Sequence, residues 1–199
     1  MFRSWRGCGL SLLLLIPALG WSAGPAQAQE MDAPAEVQIP LLYKILTFDR
    51  RLGERAPGDD IVIAVVFQGG YRASILARDQ AVDAIKRMGA STISGHPVHW
   101  VTIRLDDAEA LRISLTRVRV DVIYVTPLRG IELALITTAA RAGGLTTFTG
   151  VPLYVELGLA LGVGIARERP QILVNLVAAR AEGSDFTSQL LRVSKVVEK

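Results

Sequence analysis

Gln68, Gly69, Gly70, Thr126 and Thr149 sit where a turn or a strand end could hold a ligand. The first three follow the apolar run Ile61 to Phe67 and precede a helical pattern. A strand-to-helix turn of that kind presents backbone N–H groups to an anion, although most such turns only reverse the chain. Thr126 and Thr149 close two later apolar runs, and in open α/β sheets ligands lie outside the carboxyl ends of the strands. These five are the candidate ligand-binding residues of a small-molecule reading.

The residues that could do catalysis lack partners at a workable spacing. His96 and His99 flank Pro97 and Val98, and two imidazoles need a third ligand that no HExxH pattern supplies. They read as loop or strand-edge histidines that could also respond to pH. Ser91 and Ser94 lie in GASTISG, which lacks the nucleophile spacing G-x-S-x-G. Gly162 and Gly164 have no third glycine at the dinucleotide-binding spacing. The pairs Asp59-Asp60 and Asp106-Asp107 suit turns and caps better than acid–base chemistry. Arg112, Arg117 and Arg119 form a local basic surface, read as a solvated helix end with an acidic partner as the sharper alternative. The expectation is a protein without catalytic residues, metal or cofactor.

The first residues read as an export signal. Arg3 and Arg6 precede an apolar run from Leu10 to Leu19, and Ala26-Gln27-Ala28 is a small-residue cleavage site. The expected division is a signal peptide over 1–28, a flexible lead over 29–36 and one α/β domain over 37–199, located in the periplasm. Cys8, the only cysteine, falls inside the signal, so the mature chain has no thiol to form a disulfide. Removing 28 of 199 residues leaves 171, enough for one domain with its own core. Arg3 and Arg6 go with the signal, leaving 20 Lys and Arg against 19 Asp and Glu. That near-neutral balance gives no basis for nucleic-acid binding.

Periodicity orders the mature chain. Leu41, Ile45, Phe48 and Leu52 repeat at helical spacing from a start near Glu36 or Pro40, with Gly53 as the stop. Ile61 to Phe67 and Val120 to Val125 are β-branched runs of the fully buried type, and Val98 to Leu105 alternates. Helical patterns cover Tyr71 to Met88 with Ile75, Val82 and Ile85 inward, the Leu111 and Leu115 segment behind an Asp106 cap, and Ile131 to Ala142. Leu145 to Thr149 is a further strand, and Gly150 to Leu161 a loop or short helix. Repeated β-α alternation predicts a three-layer α/β sandwich around a mostly parallel sheet, closed by a C-terminal hairpin and helix. In that closing part Arg167 to Pro170 form the turn, and Phe186, Leu190, Val193 and Val197 share one face of a final helix capped by Ser184.

The stretch from Gly162 to Val197, GVGIARERPQILVNLVAARAEGSDFTSQLLRVSKVV, resembles the C-terminal signature of YfiR-like periplasmic proteins. The matching residues are Gly162, Gly164, Val174, Asn175, Ala178, Ala179, Ser188, Leu190, Leu191 and Val197. Leu42 to Phe48 looks like the family's opening helix, whereas its aromatic-Trp-Pro ending is replaced by Asp49-Arg50-Arg51-Leu52 and its frequent cysteines are absent. The resemblance implies a repressor, often dimeric, that restrains an inner-membrane diguanylate cyclase or similar sensor by binding its periplasmic domain. An outer-membrane lipoprotein would in turn sequester it. Within the signature, Asn175 is expected to cap a helix and Ser188 to pack where a larger residue would hold helices apart. The alternative is a periplasmic small-molecule-binding protein of transporter type, and a structural domain without a ligand is a third.

Overall fold

The computed structural model describes residues 31–55, 60–131 and 133–198; the signal segment and Asp59 lie outside them. Helices α1 (Ala35–Leu46) and α2 (Leu52–Arg55) lead into β1 (Ile61–Phe67), followed by α3 (Arg72–Met88), β2 (Thr92–Ile93), β3 (His96–Arg104) and α4 (Ala108–Val118). Then come β4 (Val122–Val125), α5 (Leu133–Gly143), β5 (Thr146–Thr149) and α6 (Pro152–Glu156). The chain closes with β6 (Leu161–Ala166), β7 (Arg169–Asn175), α7 (Leu176–Ala181), α8 (Ser188–Val193) and β8 (Lys195–Val197).

The eight strands form one sheet in the order β2-β3-β1-β4-β5-β6-β7-β8. From β3 to β6 all neighbours are parallel; β2 and β7 pair antiparallel with β3 and β6, and β8 runs parallel to β7. Alternation along β1 divides the core. Ile63 and Val65 face one side with Ile39 and Leu42 of α1, Ala81 of α3, Ala178 of α7 and Leu190 of α8. Ala64 and Val66 face the other with Leu111 and Leu115 of α4, Ile136 of α5 and Tyr154 of α6. Both faces of the sheet are therefore covered, as its continuous apolar strands require. The chain is a three-layer α/β sandwich.

The ends of the chain depart from the sequence expectation. The lead is docked: the Asp32 amide donates to Gly150 O at 3.2 Å, Ala33 is buried, and Gln38 Nε2 donates to Ala33 O at 2.6 Å. Of the two expected starts, α1 takes the one beside Glu36, beginning at Ala35, and the other, Pro40, lies inside the helix. It is tolerated because Glu36, whose carbonyl loses its helical donor, lies on the same exposed face. The helix stops at Leu46, short of the predicted Gly53, so that Asp49 can turn inward. In α3 the fully buried positions are Ser74, Ala77, Ala81 and Ala84, with Ile75, Val82 and Ile85 only half-buried, because small residues let the helix lie close on β1.

The predicted final helix is shorter and has different neighbours. Phe186 makes an isolated bridge with Asp49, α8 covers only six residues, and Val193 is exposed. Ser194 turns extended (φ −106°, ψ 154°), and Lys195 to Val197 pair with Leu173 to Asn175. Two β-branched valines at the end suit a strand, and the open edge of β7 has N–H and C=O groups to satisfy. Ser184 caps nothing at that helix; Thr187 occupies the N-cap position.

The signature glycines and Asn175 have structural roles. A Cβ on Gly162 would sit 2.5 Å from Val155 Cγ2, and one on Gly164 2.9 Å from Pro152 Cγ, so both glycines let α6 lie close on β6. Asn175 is buried and caps α7: its Oδ1 accepts from the Ala178 amide at 3.0 Å and its Nδ2 donates to Val155 O at 2.9 Å. Ser188, by contrast, is exposed at the start of α8 and separates no helices, because the chain enters α8 from a turn at the surface. Leu190 is buried and Leu191 half-buried against the same core. Asn175→Ala should cost about 2 kcal/mol in urea unfolding, since it removes a cap and leaves a buried carbonyl without its donor. A loss below about 0.5 kcal/mol would contradict that role.

Candidate functional site

The parallel strands reverse direction of assembly between β1 and β4: the chain goes from β1 to β3 on one side, then crosses to β4 on the other. The carboxyl ends of β1 and β4 therefore frame the crevice where sheets of this order take ligands. Gln68, Gly69, Gly70 and Thr126 meet there, with Thr149 at the end of the next strand, β5.

Their polar atoms are already engaged by the fold. Gln68 clamps the backbone of Arg129, donating from Nε2 to its carbonyl at 2.9 Å and accepting its amide on Oε1 at 2.8 Å. The Gln68 amide donates to Ser74 Oγ at 2.8 Å, Ser74 Oγ bonds Thr126 Oγ1 at 2.6 Å, and Thr126 Oγ1 donates to Val66 O at 3.0 Å. Thr149 Oγ1 donates to Val125 O and accepts from the Val151 amide, at 3.0 and 3.1 Å. Tyr154 Oη accepts from the Leu128 amide at 2.8 Å. Thr126 and Thr149 are fully buried, so the two threonines tie loops to strands, and only the Gly70 side of the turn is open.

At the other end of the strands lies a polar knot around Arg55. Its Nη1 donates to Gly144 O at 2.6 Å and to Glu182 O at 3.3 Å. Its Nη2 donates to Asp49 Oδ2 at 2.5 Å, Thr146 Oγ1 at 3.0 Å and Ser184 Oγ at 3.2 Å. Asp49 is buried, and its Oδ1 also accepts the amides of Arg51 and Asp185, both at 3.0 Å. The Arg55 Nε–H is buried with no acceptor among the described residues. Glu182, also buried, accepts from the Thr147 amide and hydroxyl, both at 2.8 Å. Burial pushes its carboxyl up to about 7, against the opposing pull of those two donors and of Arg141 and Arg55.

Beside the knot a pocket of about 1000 Å³ runs along the groove between α4 and α5 and ends at Val120, Asp121 and Leu145, which precede β4 and β5. Leu115, Val120, Leu135, Ala139 and Leu145 form its apolar wall, and Arg55, Arg112 and Arg119 are also among its lining residues. Such a cleft, apolar with a few converging polar groups, is the usual form of a small-molecule site.

No protein-family model and no curated protein matches the chain. Solved structures share its fold. The ABC domain in complex with L-Trp from Streptococcus pneumonia superposes with a TM-score of 0.56 at 13% identity, over 82% of this chain and 60% of that one. A conserved domain protein from Vibrio cholerae gives 0.59 at 14%, over 84% and 61%. The ligand-free, open structure of a substrate binding protein with adhesive properties from Clostridium difficile gives 0.51 at 17%, over 75% and 58%. The chain thus spans about three fifths of the length of these proteins, and the likeness is one of fold.

Arg112, Arg117 and Arg119 are exposed on the later part of α4 and its cap, in keeping with the solvated helix end read from the sequence, and Arg112 and Arg119 also line the pocket. The sequence reading did not reach Arg55, Leu135, Ala139 or Leu145 as site residues. The signals that could have found them are the small residues on one side of α5 and the Gly143-Gly144 break, which leave a groove where bulkier side chains would close it. Asp107, one residue later than predicted, caps α4, accepting from the Ala110 amide at 2.8 Å. Among the described residues no helix is long and apolar enough to cross a membrane.

Proposed function

We propose that this chain is an exported, non-catalytic binding protein that takes a small organic molecule in the groove between α4 and α5. The pocket carries the reading: it is large, apolar-walled and lined in part by arginines, while the polar atoms at the carboxyl-end crevice are committed to the fold. The fold shared with a substrate binding protein and with a domain crystallised with L-Trp supports the same class. A thermal-shift screen of the mature chain against a metabolite library tests it. A ligand of the native state should raise Tm with a concentration dependence set by mass action. A library that moves Tm nowhere, or moves it equally when the pocket is filled by Ala139→Trp, would refute it.

A second reading is the YfiR-like signalling repressor, supported by the residues from Gly162 to Val197. It is compatible with the first, since a ligand in the groove could govern a partner's access. On this reading the partner is the periplasmic domain of an inner-membrane diguanylate cyclase or similar sensor, with an outer-membrane lipoprotein as the counter-binder. Deleting the gene should then raise cellular cyclic di-GMP and surface attachment; an unchanged level would rule this version out.

A further inference from the structure

The charges around the α4–α5 groove are not equally available. Arg112 and Glu109 neutralise each other through two hydrogen bonds, Nε to Oε2 at 2.9 Å and Nη2 to Oε1 at 2.7 Å. Asp121 spends Oδ2 on the Val62 amide at 2.8 Å, and it is buried. Burial raises its carboxyl above the ordinary range, against the opposing pull of the Val62 amide and of Arg55.

One cation is left. Arg119 follows α4 in the left-handed region (φ 55°), where a glycine or asparagine is the usual occupant. Its side chain lines the pocket and makes no ion pair among the described residues. Arg55 also lines the pocket, but its two Nη atoms are committed to Asp49, Thr146, Ser184 and the Gly144 and Glu182 carbonyls, and its Nε–H is shielded. The rest of the lining is mostly aliphatic, from Leu115, Val120, Leu135, Ala139 and Leu145, with Thr116 and Thr138 as its hydroxyls.

Resting on the small-molecule reading, we infer that the pocket selects an organic acid with an apolar body, its carboxylate drawn to Arg119 and its body packed on Leu135, Ala139 and Leu145. Charge-assisted hydrogen bonds to a carboxylate in a half-enclosed site outweigh those to a neutral group, so the acid should be preferred over its uncharged analogue. An exposed point charge alone would not need the apolar wall, and the wall alone would not need the guanidinium.

The test is calorimetric titration of the mature full-length chain with 3-phenylpropionate and octanoate, their primary amides, and phenylalanine. Saturable binding of the acids is expected, about tenfold or more tighter than the amides. Arg119→Ala, at an exposed position, should keep its melting temperature and lose about tenfold in acid affinity, with Arg119→Lys recovering part of it. Amides that bind as well as the acids, in a site abolished by Ala139→Trp, would overturn the preference for acids and leave the small-molecule reading standing. Phenylalanine binding more tightly than 3-phenylpropionate would mean that Glu109 or Asp121 receives an ammonium group, and would overturn a simple-acid site. Acid binding that survives Ala139→Trp would place the site elsewhere and overturn the inference. No saturable heat with any compound would count against both this inference and the reading it rests on.

Discussion

Arg55→Ala should destabilise the domain by about 3–5 kcal/mol in urea unfolding, the range for removing one partner of a buried ion pair. The reason is in what Arg55 leaves behind. Asp49 is fully shielded from water at its side chain and would keep a charge with no cation beside it. The carbonyls of Gly144 and Glu182 and the hydroxyls of Thr146 and Ser184 would lose their shared donor as well. These groups belong to α5's exit, β5 and the turn after α7, so one side chain fastens the short α2 to three separate parts of the chain. Arg55→Lys should recover only a fraction, because an ammonium offers three donors from one point where the guanidinium reaches five acceptors in a planar fork. A loss below about 1 kcal/mol for Arg55→Ala would mean the knot is hydrated and contributes little.

Glu182 should make stability fall as pH rises through neutrality. Its folded-state value of about 7 lies above that of a glutamate in an unfolded chain, so the folded state binds the proton more tightly. The stabilisation from protonation is complete below about pH 4 and is lost as pH climbs through about 7. On the order of 3 kcal/mol is at stake between the two limits. Glu182→Gln cannot titrate, so wild type should lose stability relative to it by that amount between about pH 4 and about pH 8. The two donors on Thr147 favour the charged form and lessen the effect, whereas burial drives it. A difference between wild type and Glu182→Gln that stays flat across that range would show that water reaches the carboxylate.

The architecture was legible where each element stated its own period. Ile61 to Phe67 reads as a doubly covered strand and is one, and Gly89, at φ 72°, ends α3 where the pattern stops. The hairpin expected at Arg167 to Pro170 is there, but its turn is only Arg167 and Glu168, in left-handed backbone angles of φ 51° and 62°, while Arg169 and Pro170 belong to β7. The ends were harder because tertiary pairing decided them. Val196 and Val197 fit a helical face and a strand equally well, and only the presence of β7's open edge selects the strand. Asp49 interrupts an otherwise regular helical stripe because it accepts from the amide of Asp185, 136 residues away, as well as from nearby Arg51 and Arg55, and no local window contains Asp185.

The candidate site was legible in its topology and not in its chemistry. The β-α order puts Gln68 to Gly70 and Thr126 at strand carboxyl ends, but that β1 and β4 frame a reversal follows only from the sheet order. Whether those polar groups face a ligand or each other depends on Ser74, Arg129 and Tyr154, whose side chains and backbone arrive from elsewhere in the chain. The groove between α4 and α5 is defined by what is missing, small side chains along α5, and absence of bulk carries no periodic signature.

On the proposed function, a ligand sits between α4 and α5 and not at the carboxyl-end crevice of β1 and β4. Amide chemical-shift mapping by nuclear magnetic resonance, during titration with the tightest compound from the thermal-shift screen, distinguishes the two places. Saturating shifts should centre on Leu135, Thr138, Ala139, Leu145 and Arg119. Shifts centred instead on Gln68 to Tyr71 and Thr126 to Arg129 would contradict the claim and return the site to the carboxyl ends of β1 and β4.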